Sequence, residues 1–161
     1  PSGAGKTTLL RILAGLEKVD SGQIEGLEGL RISMVFQEDR LCENLSASAN
    51  IRLVRGKKPW GRDKKLEAKI SKAMAAVGLG GCEDQPVREF SGGMRQRTAL
   101  LRALYSEWDV LFLDEPFKGL DEETKELVIE YTKKQCFGKT VIFVTHDRSE
   151  AGKMGGRLFK M

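Results

Sequence analysis

The sequence has few of the features that mark secreted or membrane-spanning proteins. Its cysteines, Cys42, Cys82 and Cys136, are odd in number and lack a Cys-x-x-Cys pair, which fits neither a disulfide framework nor a zinc site. The longest apolar runs, at 110–113 and 141–144, are far shorter than the roughly 20 residues of a transmembrane helix. The start of the chain also lacks the basic and apolar segments of a secretion leader. We therefore expect a cytoplasmic chain that is not integral to a membrane.

The sequence also lacks a large excess of basic or of acidic residues. The net charge is +4, from 27 basic and 23 acidic residues, which does not favour a nucleic-acid partner. The basic residues are denser at 52–65, where Asp63 is the single acid and Trp60 lies among Arg52, Arg55, Lys57, Lys58, Arg62, Lys64 and Lys65. This stretch is either a solvated surface or a surface that faces anionic lipid or nucleic acid.

The order of predicted elements indicates an α/β protein of one domain. The 161 residues, 40% of them apolar, suffice for a hydrophobic core. The continuous apolar runs at 110–113 and 140–144 predict strands buried on both faces of a parallel sheet. Further strands are predicted at 32–36 and 157–161, and helices at 6–16, 46–54, 63–77, 91–105, 121–134 and 148–154. We therefore expect a single domain, 1–161, with a mostly parallel sheet in a core of residues 1–40 and 106–161, interrupted by an α-helical subdomain at about 41–105.

A phosphate-binding loop is predicted at the start of the chain. The pattern Gly-x-x-x-x-Gly-Lys-Ser/Thr fits if its leading glycine precedes Pro1, and the matching residues are Ser2, Gly3, Ala4, Gly5, Lys6, Thr7 and Thr8. Glycines let successive backbone N–H groups point at phosphate oxygens, and the helix that begins near Lys6 adds its positive end. Lys6 is expected to bridge the β- and γ-phosphates, and the Thr7 hydroxyl is expected to bind Mg²⁺.

Two acids, Asp114 and Glu115, end the predicted strand at 110–113, and Pro116 prevents its continuation. Open α/β sheets bind ligands at the carboxyl ends of their strands. Asp114 is therefore expected to hold Mg²⁺. Glu115, which strand alternation directs to the opposite side, is expected to polarise an attacking water. The alternative is an acid pair in a solvated turn.

The turn Ser91-Gly92-Gly93 opens the helix that lies between these two motifs, and the combination points to one family. Together with Gln37 and His146, the segments 2–8, 90–97, 110–116 and 119–121 resemble the ATP-binding subunit of ABC transporters, which has a P-loop NTPase core. The resemblance covers essentially the whole chain. It implies Mg²⁺-dependent ATP hydrolysis, with ATP held between two head-to-tail copies.

The resemblance also implies roles for single residues. Gln37 lines the nucleotide site and contacts Mg²⁺ and water, and His146 contacts the γ-phosphate and the catalytic Glu115. The turn residues Ser91, Gly92, Gly93 and Met94 reach the ATP of the other copy, and Asp121 belongs to a segment that crosses the interface between copies. Met94 stands where many members have glutamine, and Lys118-Gly119 replaces a more frequent Ser-Ala pair.

The partners that the resemblance implies are a transmembrane permease and, indirectly, an extracytoplasmic substrate-binding protein. The chain is then peripheral on the inner face of the cell membrane. Residues 35–41 and 115–117 resemble the importer subfamily for nitrate, sulfonate and taurine. Because the family's first strands and adenine-stacking aromatic are expected before Pro1, we also expect the isolated chain to be truncated and poorly stable. Whether it hydrolyses ATP alone or is inactive stays open.

Two other functions stay open on the sequence alone. One is an ABC-type ATPase that acts on nucleic acid or ribosomes. The other is nucleotide binding without hydrolysis.

Overall fold

A computed structural model describes residues 5–55 and 63–159 of the chain. The middle of the basic stretch, at 56–62, lies outside the described residues. The described helices are α1 (Lys6–Leu13), α2 (Ala47–Arg52), α3 (Lys64–Ala76), α4 (Gly92–Tyr105), α5 (Glu122–Gln135) and α6 (Arg148–Met154), and the strands are β1 (Ile32–Val35), β2 (Val110–Asp114) and β3 (Thr140–Val144). None of the helices in these ranges is long and apolar enough to cross a membrane.

The three strands form one parallel sheet in the order β1-β2-β3. In the register of this sheet, Val35 pairs with Leu113, and Asp114 pairs with Val144. The carboxyl ends of the strands therefore meet at one edge. The residues that follow them, including Gln37 and His146, come together there because parallel strands all end on the same side.

Strand β2 is the centre of the packing, since each of its residues is buried. Leu111 and Leu113 belong to a large apolar cluster that includes residues of α2, α3, α4 and α5. Phe112 belongs to a second, smaller cluster with Leu10 of α1. Because side chains alternate along a strand, β2 contributes to a hydrophobic core on both of its faces.

Two expectations about strands are wrong. Strand β3 is not buried on both faces: Thr140 is exposed and the other residues are only partly buried. The reason is its position, because among the described residues β3 pairs with β2 alone and forms an edge of the sheet. The expected strand at 157–161 is also absent from its described part, since 157–159 are exposed and have no regular structure. Residues 160 and 161 lie outside the described residues.

The helices between β1 and β2 pack on one another through their apolar faces. Ile51 of α2, Ile70 and Met74 of α3 and Leu101 of α4 are each at most 1% exposed and share the large cluster. The chain before α2 is held by Asn50, which is fully buried and bonds both the N–H and the carbonyl of Cys42. The boundaries proposed for a helical subdomain, about 41–105, remain a prediction.

Candidate functional site

A cavity of about 340 Å³ lies at the carboxyl ends of β1 and β2. Thr7, Gln37 and Asp114, the three residues predicted to bind a metal ion, all line it. Thr7 is in the first turn of α1, Gln37 follows β1, and Asp114 ends β2. The other lining residues are Arg11, Phe36, Glu38, Arg40 and Lys118. The fold thus brings together residues that are more than 100 positions apart in sequence.

The donor atoms in this cavity fit a magnesium ion. Asp114 is 1% exposed, and its Oδ2 atom is buried without a hydrogen-bond partner in the described structure. A buried carboxylate oxygen that lacks a partner is costly unless a cation or water meets it. A carboxylate, a hydroxyl and an amide oxygen are the hard oxygen ligands that Mg²⁺ prefers. Within the described ranges, no group of three or more His, Cys, Asp and Glu offers a different metal site.

Glu115 and His146 lie next to each other beside the cavity. His146 Nδ1 lies 3.0 Å from Glu115 Oε2, although the contact lacks hydrogen-bond geometry, and Glu115 Oε2 is otherwise buried and unpartnered. The Glu115 backbone is left-handed, with φ of 48°, and its N–H donates to the Val144 carbonyl at 2.9 Å. Strand alternation therefore does not set the direction of this side chain, because β2 ends at Asp114 and the turn takes over.

The predicted phosphate loop is described only in part, since Ser2, Gly3 and Ala4 lie outside the described residues. Gly5 has a φ of 77° and precedes α1, a left-handed conformation that glycine adopts without strain. Lys6 and Thr8 flank Thr7 in the first turn of the helix, where Leu9 N–H donates to the Gly5 carbonyl at 2.8 Å. The first N–H groups of a helix have no partner within the helix, which suits this turn to binding an anion such as a phosphate.

The residues expected to reach a second copy do not line the cavity of their own chain. Ser91 caps α4, since its Oγ accepts a hydrogen bond from Met94 N–H at 3.3 Å. A Cβ atom on Gly93 would lie 3.2 Å from Leu120 Cδ2, so the start of α4 closely approaches the segment before α5. Asp121 caps α5 by accepting from Thr124 N–H at 2.9 Å, and this bond lowers the pKa of Asp121. Gly92 and Met94 lie with Gly93 in the first turn of α4, directly after the Ser91 cap.

Three residues of α4 that were not among the predicted site residues connect this helix to the site. Gln96 is buried and its amide donates to the Pro116 carbonyl at 3.3 Å and the Glu115 carbonyl at 3.4 Å. Arg95 and Arg102 both bond the segment after Gln37. Polar residues at 95 and 102 recur at the spacing of one helix face, which is the signal that could have found them.

This arrangement defines a class of protein. A phosphate-loop helix, an acidic strand end and a parallel sheet that is interrupted by helices constitute the nucleotide-binding fold of the ATP-binding cassette type. Comparison with known families agrees, because the family described as ABC transporter matches residues 1–118. The chain belongs to the ABC transporter family.

Curated relatives are ATP-binding proteins of importers. The sulfate/thiosulfate import ATP-binding protein CysA of Xanthomonas campestris is 39% identical, over 98% of this chain and 50% of the relative. The thiamine import protein ThiQ of a Chelativorans species is 40% identical, over 98% and 68%. The aliphatic sulfonates import protein SsuB 1 of Pseudomonas savastanoi is 38% identical, over 100% and 66%. The chain thus spans between half and about two thirds of the length of these relatives.

Solved structures of an ATP-binding cassette share the fold. The dimeric structure of MJ0796, a bacterial ABC transporter cassette, has a TM-score of 0.81 and 28% identity, over 95% of this chain and 75% of that one. The dimeric post-hydrolysis state of MJ0796, bound to ADP and Pi, has a TM-score of 0.78 at the same coverage. The predicted fold class, a P-loop NTPase core with a parallel sheet and a helical interruption, is confirmed.

Proposed function

We propose that the chain binds and hydrolyses Mg²⁺-ATP as the energy-coupling subunit of an importer, with ATP held between two head-to-tail copies. The observation that carries the proposal is the cavity in which Thr7, Gln37 and Asp114 meet beside the Glu115–His146 pair. The family and the import names of the relatives support the same function.

The residues have separate tasks in this proposal. Lys6 and the N–H groups at the start of α1 bind phosphate oxygens. Thr7, Gln37 and Asp114 would hold Mg²⁺, which neutralises phosphate charge when it is bound. Glu115 orients a water molecule for attack, and His146 keeps the carboxylate in position from 3.0 Å away. The start of α4, Ser91 to Met94, binds the ATP of the other copy.

The test separates binding from hydrolysis. We expect Lys6→Ala to weaken ATP binding by about 10- to 100-fold, because a hydrogen bond to a charged group is lost. We expect Glu115→Gln to retain ATP binding, to lower the hydrolysis rate by roughly 10² to 10⁴, and to accumulate a closed dimer. Isothermal titration, phosphate release and light scattering measure the three quantities.

Matched controls are available on the surface. Lys72→Ala and Glu123→Gln change exposed residues of the same types outside the site and should leave binding and hydrolysis unaltered. Hydrolysis by Glu115→Gln at the unmodified rate would show that Glu115 is not the base. ATP binding without hydrolysis by the unmodified chain would favour the nucleotide-binding alternative.

The proposed partners are a transmembrane permease and, through it, an extracytoplasmic substrate-binding protein, which makes the chain peripheral on the inner face of the membrane. We further propose a substrate of the nitrate, sulfonate and taurine kind, which the likeness to an aliphatic sulfonates import protein supports. Co-purification with a permease and sulfonate uptake by that complex test this. Steep salt-dependent binding to RNA or DNA would instead favour the nucleic-acid alternative.

A further inference from the structure

An arginine–aspartate pair joins α4 to the segment that follows Gln37. Arg95 Nε lies 2.8 Å from Asp39 Oδ2, and Arg95 Nη2 lies 3.0 Å from Asp39 Oδ1, so the guanidinium binds both carboxylate oxygens. The two side chains are only 20% and 22% exposed. Burial opposes the charge on Asp39, yet the bonds from Arg95 and from Leu41 N–H lower the pKa of Asp39. A bidentate, charge-assisted pair of this kind fixes orientation as well as distance.

A second arginine holds the backbone of the same segment. Arg102 donates to the Asp39 carbonyl at 2.9 Å and to the Arg40 carbonyl at 2.8 Å. Arg40 has a left-handed backbone, with φ of 47°, and its guanidinium carbon lies 3.9 Å from the centre of the Phe36 ring. The segment 36–40 is therefore bent back on itself. It is attached to α4 through the Asp39 side chain and through the backbone carbonyls of Asp39 and Arg40.

Gln37 itself has no such attachment. Its side chain is exposed and makes no hydrogen bond within the described ranges. The position of its amide in the cavity thus depends on how the neighbouring backbone is held. Arg95 and Arg102 provide that support from a helix whose first turn, at Ser91, is the surface proposed to meet a second copy.

We propose that Arg95 is a positioning residue for Gln37: through Asp39, it fixes segment 36–40 on α4 and so sets where the Gln37 amide lies in the cavity. The inference rests on the proposed function, because it assigns Arg95 a role in Mg²⁺-ATP binding at the same cavity. Arg95 acts through Asp39 and does not line the cavity.

The experiment is a double-mutant cycle in the intact chain, with Mg²⁺-ATP affinity as its readout. Arg95→Gln and Gln37→Ala should each weaken Mg²⁺-ATP binding by about 10-fold, as loss of an outer support of a metal ligand does. The double variant Arg95→Gln/Gln37→Ala should bind no more weakly than Gln37→Ala alone, because Arg95 acts through Gln37. ATP affinity in EDTA should be the same in all four proteins.

A second variant and a control guard against a general loss of structure. Asp39→Asn removes the other partner of the pair and should reproduce the effect of Arg95→Gln. Arg31→Gln breaks a matched pair, since Arg31 Nη2 lies 2.9 Å from Asp109 Oδ1 and Nε lies 3.0 Å from Asp109 Oδ2 at the opposite end of the sheet. This control should leave Mg²⁺-ATP affinity unchanged.

Two results would overturn the inference while the proposed function stands. One is unchanged Mg²⁺-ATP affinity in Arg95→Gln and Asp39→Asn. The other is an Arg95→Gln effect that persists in full in the Gln37→Ala background, since a purely structural role predicts such additivity. Failure of the unmodified chain to bind Mg²⁺-ATP would instead contradict the proposed function itself.

Discussion

At the scale of single residues, the left-handed backbone of Glu115 determines where its carboxylate lies. A non-glycine residue with positive φ costs roughly 1–3 kcal/mol and persists only where its surroundings enforce it. Here the surroundings are the bond from Glu115 N–H to Val144 and the contact of Gln96 with the Glu115 carbonyl. Asp114 and Glu115 are adjacent in sequence, but only Asp114 lines the cavity while Glu115 meets His146.

A second residue-scale difference concerns the thiols. Cys136 is buried, and burial raises the pKa of its thiol to about 11, whereas Cys42 is exposed. Because the thiolate is the reactive form, we expect iodoacetamide at pH 8 to modify Cys42 in the folded chain and to leave Cys136 unmodified. Peptide mass spectrometry after timed labelling measures this, and labelling in urea should modify both. Equal rates for the two in the folded chain would show that Cys136 is not protected.

At the scale of elements, an ion network joins α5 to α6 beside His146. Lys125 Nζ lies 3.4 Å from Glu150 Oε1 and 3.5 Å from Asp147 Oδ2. Thr145 donates to Glu150 Oε2 at 2.6 Å and accepts from Asp147 N–H at 2.9 Å. The residues on both sides of His146 are thus fixed, although the His146 side chain itself is 68% exposed.

We expect Lys125→Met to destabilise this junction. Glu150 is 5% exposed, so removal of its cation leaves a buried carboxylate with fewer partners, at a cost of about 2 kcal/mol. For a domain of this size, that corresponds to a melting temperature lowered by roughly 4–8 °C. Lys134→Met is the control on the same helix, because Lys134 bonds Glu130 on the exposed face. Equal melting of the two variants in a thermal scan would contradict a structural role for the network.

At the scale of the whole molecule, β2 links the two apolar clusters. Phe112 and Leu113 are adjacent in this strand and fully buried, but they belong to different clusters on its two faces. A strand that contributes to both clusters couples them, so that loss of packing on one side weakens the other. Strand β3 differs from β2 in burial and in pairing. Its Thr140 is exposed, and among the described residues it pairs with a strand on one side only.

We expect Phe112→Ala to lower the free energy of unfolding by about 3–5 kcal/mol, because it removes a buried ring and leaves a cavity. The control is Phe137→Ala, since Phe137 is 90% exposed and its loss should change stability little. Urea titration followed by circular dichroism gives both values. A Phe112→Ala chain as stable as the control would mean that the smaller cluster contributes little to folding.

The sequence alone determined the features that depend on a local pattern, which are the helices, their caps and the family motifs. Apolar spacing, caps and terminal charges predicted each of the helices α1 to α6 to within a few residues, and the caps Ser91 and Asp121 stand where side-chain chemistry favours a helix start. The motifs around Lys6, Asp114 and Ser91 also identified the family, because phosphate binding requires particular residue types in a particular order.

Only the tertiary structure decided what depends on neighbours distant in sequence. The burial of β3 depends on which strands pair with it, and the left-handed backbone of Glu115 depends on a bond to Val144. The contact of Arg95 with Asp39 joins α4 to the segment after β1, and no local pattern relates the two. The physical reason is the same in each case: a periodic pattern reports which side of an element is apolar, whereas packing between elements determines what that side meets.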